Sequence, residues 1–276
     1  MVSVVILTLN EERDLPLCLA SLRQCDDIVV LDSGSTDRTI QIAAQAHARV
    51  VTHPFKNFAD QRNFAHRQIP FQHRWVMHLD ADEIMTGELW EECLAAAQRN
   101  EAEVDGYWIA PKMMFQGRWI PHCTDFPAYQ ARLVHSQRFR FIEVGHGQRE
   151  APDMRMRHLK ANYLHDLSTG GEEDWLGKHR RYAKAEAREQ LQHMAAGNWR
   201  DLFSREALRR RRALKRLSFK LPCRPWLRFV YQYGLRGGCL DGAAGWRYCK
   251  LLMRYERFID EAVRDLRNPS RQRCRG

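Results

Sequence analysis

The sequence predicts an α/β fold, a mostly parallel sheet flanked by helices with a helical extension at the C-terminal side. Three observations predict it. Short apolar runs rich in β-branched residues alternate with apolar residues at helical spacing through residues 1–100. Those runs end in polar clusters, Thr8-Leu9-Asn10-Glu11-Glu12, Asp32-Ser33-Gly34-Ser35-Thr36-Asp37 and Asp80-Ala81-Asp82-Glu83, the turns in which an open parallel sheet binds ligands. Beyond residue 170 the periodicity is helical.

Taken in order, Val2–Thr8 is β-branched at Val2, Val4, Val5, Ile6 and Thr8 and reads as a strand buried on both faces. Leu15, Leu19 and Leu22 recur at helical spacing, and Ile28–Leu31 is a second buried strand. Ser35-Thr36-Asp37 leads into Ile40, Ala43, Ala44 and Ala46, which makes Ser35 or Thr36 the expected helix cap. Arg49–Thr52 is a third strand, Phe58–Arg67 a helix, Arg74–Leu79 a fourth strand and Gly87–Arg99 a helix. Tyr107–Ile109, Arg118–Ile120, Tyr129–Val134 and Phe139–Val144 are short and aromatic-rich, and extend the sheet in antiparallel or mixed fashion. Three helical stripes follow: Leu176 to Met194, Phe203 to Leu221 closed by Pro222, and Tyr248 to Leu266. Residues 268–276 read as a disordered end.

Composition bounds the class of protein. A chain of 276 residues with 44% hydrophobic and 28% charged residues holds one sizeable core and a smaller appendage, and is not disordered throughout. The net charge of +10 is uneven: residues 200–276 carry 21 Lys/Arg against 7 Asp/Glu, and residues 1–199 carry 23 against 27. That asymmetry argues against a uniformly basic nucleic-acid binder. No segment reaches the roughly 20 apolar residues of a bilayer span. The first apolar run leads into Glu11 and Glu12, so it is expected to be a core strand and not a leader. The eight cysteines form no CxxC pair, which fits free thiols in a reducing cytoplasm.

The densest chemical signal is LDADE at 79–83. Carboxylates at i and i+2 after a buried strand suit a hard divalent cation that is itself held by a diphosphate, since Mg²⁺ keeps one or two protein carboxylates and fills its shell with phosphate and water. An acidic helix start is the alternative use of the same residues. Asp32 offers an acceptor to a base or sugar, and Gly34 permits a tight turn or a close ligand approach. There is neither GxGxxG nor GxxxxGK[ST], so the dinucleotide fingerprint and the P-loop do not apply.

VSVVILTLNEE, DDIVVLDSGSTDRTIQIA, FADQRNFA and WVMHLDADE, in that order and spacing, resemble family 2 glycosyltransferases, above all the bacterial enzymes of lipopolysaccharide-core and exopolysaccharide assembly. YQARLV, HD and KHRRYAKAEA extend the likeness loosely, and residues 224–249 resemble the C-terminal extension of a subset of those enzymes. The resemblance implies a GT-A fold, an inverting transfer from a nucleoside-diphosphate sugar, and Mg²⁺ or Mn²⁺ held through the DxD element. It implies nucleotide contacts from Thr8, Asn10, Glu11, Asp32, Gly34 and Ser35, with Gln61 and Arg62 near the donor. The resemblance also implies that Asp80 lies near the ribose and metal and that Asp82 is the direct metal ligand, with His165 as the candidate further ligand and a packing role as its alternative. A catalytic domain of 1–199 is then expected, with a donor half at 1–100 and an acceptor half at 101–199.

The acceptor side departs from the commonest pattern of the family. Glu143, His146 and Glu150 are all candidate general bases, and none is singled out; Gly145 and Gly147 supply the turn that would bring two of them together. Asp125 and Arg132 are candidates for acceptor or diphosphate contact, or for an ion pair with each other or elsewhere. Residues 209–212, Lys215 and Arg216, set among Phe203, Leu214, Leu217 and Phe219, read as a basic amphipathic helix. The extension 200–276 is therefore expected to meet an anionic membrane surface, and the protein to be cytoplasmic and peripheral on the inner membrane face, acting on a lipid-linked or polysaccharide acceptor. Two other readings compete: a sugar nucleotidyltransferase, disfavoured because LTLNEE is neither Gly-rich nor basic, and a non-catalytic membrane- or nucleic-acid-binding protein on a decayed transferase fold.

Overall fold

The computed structural model describes residues 1–99, 101–144, 147–195, 204, 210, 213 and 223–267. The chain divides into two compact units, one of residues 1–119 and 125–169, the other of residues 120–124 and 170–276.

In the first unit β1 (Ser3–Thr8), α1 (Leu15–Ala20), β2 (Ile28–Asp32), α2 (Thr39–Gln45), β3 (Arg49–Thr52), α3 (Phe58–Gln68) and β4 (Trp75–Asp80) alternate as the periodicity predicts. Then come β5 (Glu83–Ile84), α4 (Gly87–Arg99), β6 (Gly106–Ile109), β7 (Pro111–Phe115), β8 (Arg118–Trp119), β9 (Gln130–His135), β10 (Phe141–Val144), β11 (Gly147–Glu150), β12 (Met156–His158) and β13 (Tyr163–Asp166). Seven strands form one sheet in the order β12-β6-β9-β4-β1-β2-β3. β1 pairs in parallel with both β2 and β4, and β2 with β3. β9 is antiparallel to β4 and β6, the mixed extension expected of the aromatic-rich segments. A four-stranded sheet β5-β13-β7-β8 and the hairpin β10-β11 complete the unit.

The apolar run of β1 is buried on both sides because alternate residues enter two cores. Val4 and Ile6 pack with Val30, Met77, Leu79 and Leu133 on one face, while Val5 and Leu7 pack with Val29, Leu31 and Ala65 on the other. One expectation fails here. Neither Ser35 nor Thr36 caps α2, which begins at Thr39 with Arg38 at the cap position. The Ser35 hydroxyl is already bonded to Asp32, and Asp37 accepts the Thr39 N–H at 3.0 Å instead.

The second unit contains α5 (Gly171–Ala195), α6 (Arg224–Val230) continued by a π-helical turn (Tyr231–Leu235), a 3-10 turn (Gly238–Asp241) and α7 (Gly242–Arg267). Ala183 and Ala187 of α5 pack on Ile259 and Val263 of α7, so small residues on one stripe meet β-branched residues on the other. Asp241 accepts the backbone N–H groups of His122 and Cys123 at 3.1 and 2.8 Å and pairs with His122 Nδ1 at 2.7 Å. Gly245 is required, because a Cβ there would lie 2.3 Å from the Gly238 carbonyl oxygen. The Phe203–Leu221 stripe and residues 268–276 lie outside the described residues, as does the expected boundary at 199/200. The seven described cysteines are free, and no described helix is long and apolar enough to cross a membrane.

Candidate active site

The site is built at the carboxyl ends of the parallel strands, starting with the turns after β1 and β2. Register sets Thr8 opposite Asp32, and the Thr8 hydroxyl donates to Asp32 Oδ1 at 2.9 Å. Asp32 Oδ2 accepts the Gly34 and Ser35 N–H groups, both at 2.8 Å, and Oδ1 also accepts the Ser35 hydroxyl. Burial pushes the Asp32 carboxyl up, but hydrogen bonds from Ser35, Gly34 and Thr8 outweigh it and hold it below the usual range. Four donors fill the acceptor positions of this fully buried carboxylate, so in this conformation Asp32 pins the loop and does not offer itself to a base or sugar. The exposed residues of the two turns are Leu9, Asn10, Gly34 and Thr36. Asn10 accepts the Thr36 N–H at 2.8 Å and its own N–H donates to Ser35 Oγ at 2.8 Å, while the Glu11 N–H donates to Thr39 Oγ1 at 2.8 Å. Gly34 has φ +100° with open space where a Cβ would sit, so backbone strain and not crowding demands glycine.

Behind these turns, α3 delivers Gln61 and Arg62, both about 1% exposed. Asn57 caps α3 through the Asp60 N–H at 2.7 Å. Gln61 donates to Ser33 Oγ and the His53 carbonyl, both at 2.9 Å, bracing the second turn. Arg62 Nη2 donates to Asp80 Oδ1 at 2.8 Å, whereas its Nε and Nη1, buried, have no acceptor. Unpaired buried donors cost about 1–3 kcal/mol each, which an anionic ligand oxygen would recover. Asn63, the next residue, clamps the β10-β11 hairpin with reciprocal bonds to the Phe141 carbonyl and N–H at 2.8 and 2.9 Å.

Asp80 ends β4 between two guanidiniums. Arg132 Nη2 reaches Asp80 Oδ2 at 3.1 Å and Glu83 Oε1 at 2.6 Å, and its Nε donates to the Tyr163 hydroxyl at 3.1 Å. Burial raises the Asp80 carboxyl, but Arg132 and Arg62 overcome this and hold it well below the carboxylate range. Glu83 goes the other way: burial first, then the charge of Asp80, push it up to about 8 against the pull of Arg132. Strand β13 sets His165 opposite Glu83, with Nε2 3.3 Å from Asp82 Oδ2 and Nδ1 3.7 Å from Glu83 Oε1. Burial lowers the His165 pKa, but Asp82, Glu83 and Asp80 raise it past its ordinary value, the response of a site that attracts positive charge.

Among the described residues no three His, Cys, Asp or Glu side chains converge into a complete metal cage. The neighbouring Asp82 and His165, with Asp80 close by in sequence, fit an ion that takes its remaining ligands from a diphosphate and water.

A cleft of about 620 Å³ opens beside Arg62 and Asp80. Trp108, Tyr129 and His158 line it as a cluster of rings, His158 lying 4.8 Å from Trp108 and 4.5 Å from Tyr129 between centroids. The hairpin places two of the three candidate bases differently. Phe141 stands opposite Glu150, and Glu143 opposite Gln148. Glu150 lines the cleft together with Arg62 and Asp80, whereas Glu143 is exposed and accepts from Asn57 Nδ2 at 3.1 Å. His146 lies outside the described residues. Sequence reasoning passed over Glu83, Asn63 and the ring cluster; the QRN triplet of α3 was the one local signal for Asn63.

The family described as glycosyl transferase family 2 matches residues 3–160. Among curated proteins, an uncharacterized glycosyltransferase of Rickettsia typhi is 31% identical over 118 residues, 42% of this chain and 40% of the relative. The lipopolysaccharide core biosynthesis glycosyltransferase LpsC of Rhizobium meliloti is 36% identical over 116 residues, 39% of this chain and 41% of the relative. This chain thus spans well under half the length of these relatives. Among solved structures, glucosyl-3-phosphoglycerate synthase from Mycobacterium tuberculosis, in complex with Mg²⁺ and UDP, is 25% identical over 42% of this chain and 44% of that chain, with a TM-score of 0.33. S. aureus TarS 1-349 is 19% identical over 98% of this chain and 91% of that chain, with a TM-score of 0.44.

Proposed function

Because this chain belongs to glycosyl transferase family 2 and has its GT-A fold, we propose that it moves a sugar, with inversion, from a nucleoside-diphosphate donor to a hydroxyl of a lipopolysaccharide or other polysaccharide or lipid-linked acceptor. Family membership sets aside the sugar nucleotidyltransferase. The observation that carries the reading is the buried Arg62: two of its donors lack acceptors, it is paired to Asp80 at a strand end, and it faces a cleft that Glu150 also lines.

The nucleoside rests on the turns after β1 and β2, where Asn10 and Gly34 are exposed and Thr8, Glu11, Asp32 and Ser35 hold the loop conformation. The unpaired N–H groups of Arg62 receive a diphosphate oxygen. Arg132 keeps Asp80 ionised and oriented. Mg²⁺ or Mn²⁺, held by Asp82 and His165 beside Asp80, would supply positive charge to the leaving diphosphate. Glu150 takes the acceptor proton as the hydroxyl attacks the face opposite the leaving group. The rings of Trp108, Tyr129 and His158 give a saccharide acceptor apolar surfaces to stack on, as aromatic side chains do in ligand clefts.

LpsC's name, a lipopolysaccharide core glycosyltransferase, supports the acceptor class. The 21 Lys/Arg against 7 Asp/Glu of residues 200–276 support a cytoplasmic enzyme bound peripherally to the anionic inner membrane face. The test is thermal unfolding with UDP, GDP, dTDP and CMP, each with and without Mn²⁺, followed by hydrolysis of the matching nucleotide sugars. At least one nucleotide should raise the transition in a Mn²⁺-dependent way and its sugar should be cleaved. If no nucleotide does either, the chain is not a metal-dependent transferase, and the decayed-fold reading takes its place.

A further inference from the structure

The second unit presents apolar side chains to solvent in an ordered pattern. Trp226, Leu227, Val230, Tyr231 and Leu235 are all exposed, and their spacing places them along one face of α6 and the π-helical turn that continues it. Leu235 and Leu240, which flank the bend into α7, are 80% and 68% exposed, and Trp246 adds a further exposed ring. The inward side of the same helix is firmly held: Gln232 is buried and donates to the Cys123 carbonyl at 2.6 Å, and Arg236 donates to the Thr124 carbonyl at 2.9 Å. Phe229 stacks on Tyr233 at 5.4 Å, and each meets the Trp246 ring edge-on at 5.1 Å, so the exposed aromatics stand on a rigid base.

Charge selects the occupant. Of the five cations of residues 223–250, Arg224 is ion-paired to Glu256 at 3.0 Å and Arg236 is turned inward to the Thr124 carbonyl. The outward charge comes from the half-buried Arg228 and the exposed Arg247 and Lys250, while the one acid of the segment, Asp241, is buried and bonded to His122 and Cys123. A second copy of the chain would set this positive surface against itself. An anionic bilayer matches both properties, because its interface accepts Trp, Tyr and Leu while its headgroups attract the Arg and Lys rim.

We propose that α6 and the bend after it form a membrane-inserting surface, with Trp226, Leu227, Val230, Tyr231, Leu235 and Leu240 entering the interface of an anionic bilayer. The inference deepens the peripheral membrane location proposed above and is independent of the transfer chemistry. It differs from attachment by the basic run at 209–216 in a measurable way: a purely ionic contact is lost in salt, and buried apolar side chains are not.

The experiment uses the full chain with vesicles of phosphatidylcholine containing about 30% phosphatidylglycerol, at low salt and in about 0.5 M NaCl. Cosedimentation should weaken but persist in high salt. Brominated lipid should quench tryptophan emission, and the Trp226→Phe/Trp246→Phe variant should lose that quenching. Leu235→Asp/Leu240→Asp should lower partitioning about tenfold or more. Its unfolding transition and any nucleotide-induced shift should match wild type, so a failure of insertion is separable from a failure of the enzymatic reading. Complete release by salt, absence of quenching in the bound state, or wild-type partitioning of the double Asp variant would each overturn the proposal. So would concentration-dependent self-association abolished by the same variant, which would make the surface a dimer contact.

Discussion

Replacing Arg132 with Met tests the charge arrangement under the site. Arg132 is 2% exposed and serves Asp80 at 3.1 Å, Glu83 at 2.6 Å and the Tyr163 hydroxyl at 3.1 Å. Met fills much of the volume but supplies no charge or donor. Asp80 retains Arg62, whereas Glu83, with no exposed surface, is left with the Asp80 N–H at 2.8 Å as its hydrogen-bond donor. Removing one partner of a buried ionised pair costs about 3–5 kcal/mol, because a charge is left behind in low dielectric, and that cost falls on Glu83 only above about pH 8, where it is ionised in the wild type.

The loss should depend on pH. The Glu83 pKa, already raised from 4.5 to about 8, rises further without Arg132. A raised carboxyl favours the folded state below its unfolded pKa, and that contribution disappears as pH climbs through the folded value. Both folded forms keep the Glu83 proton well below pH 8, so the deficit of Arg132→Met should be flat from pH 5 to about pH 7 and grow as pH climbs through the wild-type value near 8. Urea unfolding of the wild type, Arg132→Met, Glu83→Gln and the double variant across this range measures it. Above about pH 8, Glu83→Gln in the Met background should recover most of the added loss and flatten its pH dependence. Above about pH 8, a deficit below about 1 kcal/mol, the size of a surface ion pair, or a double variant no better than Arg132→Met, would refute the reasoning.

Asp82→Ala should remove the Mn²⁺-dependent part of any nucleotide-induced thermal shift while leaving the fold intact, and an unchanged shift would take Asp82 out of the metal site. Glu150→Gln should lower turnover roughly a hundredfold to ten-thousandfold with donor binding retained, and Glu143→Gln should stay within a few-fold of wild type; the reverse ranking would move the base to Glu143. His66 is held neutral with burial pulling it down to about 4, and its Nε2 meets His78 Nε2 at 2.9 Å, which requires one bare nitrogen. A depressed histidine stabilises above its unfolded value of 6.5 and loses that contribution as pH falls toward 4, so about 3 kcal/mol should disappear in that window and His66→Gln should shrink the slope.

Much of the donor half follows from local pattern. A strand buried on both faces needs a continuous apolar run, and Val2–Thr8 is one; a polar turn at its carboxyl end follows because the sheet interior has no place for those groups. The positions of Gln61, Arg62, Asp80 and Asp82 come from motifs only a few residues long. The same locality misled the reading of Ser35, whose hydroxyl is claimed by Asp32 and so is not a helix cap.

What tertiary structure alone decided is which polar groups meet. Arg132 and Glu83 are 49 residues apart, Asn63 and the Phe141 backbone 78, and Asn57 and Glu143 86. No periodicity encodes such partners, because they are chosen by strand order and by register across the sheet. Glu143 and Glu150 look alike as sequence, and hairpin register with the cleft wall separates the one beside Asn57 from the one beside Arg62 and Asp80. Sequence by itself determined the scaffold and the chemistry available at its strand ends, since both depend on neighbours within a few residues. Packing determined which acid stands at the cleft and which cations hold Asp80, since the cost of burying an unpaired charge is settled only when distant elements close around it.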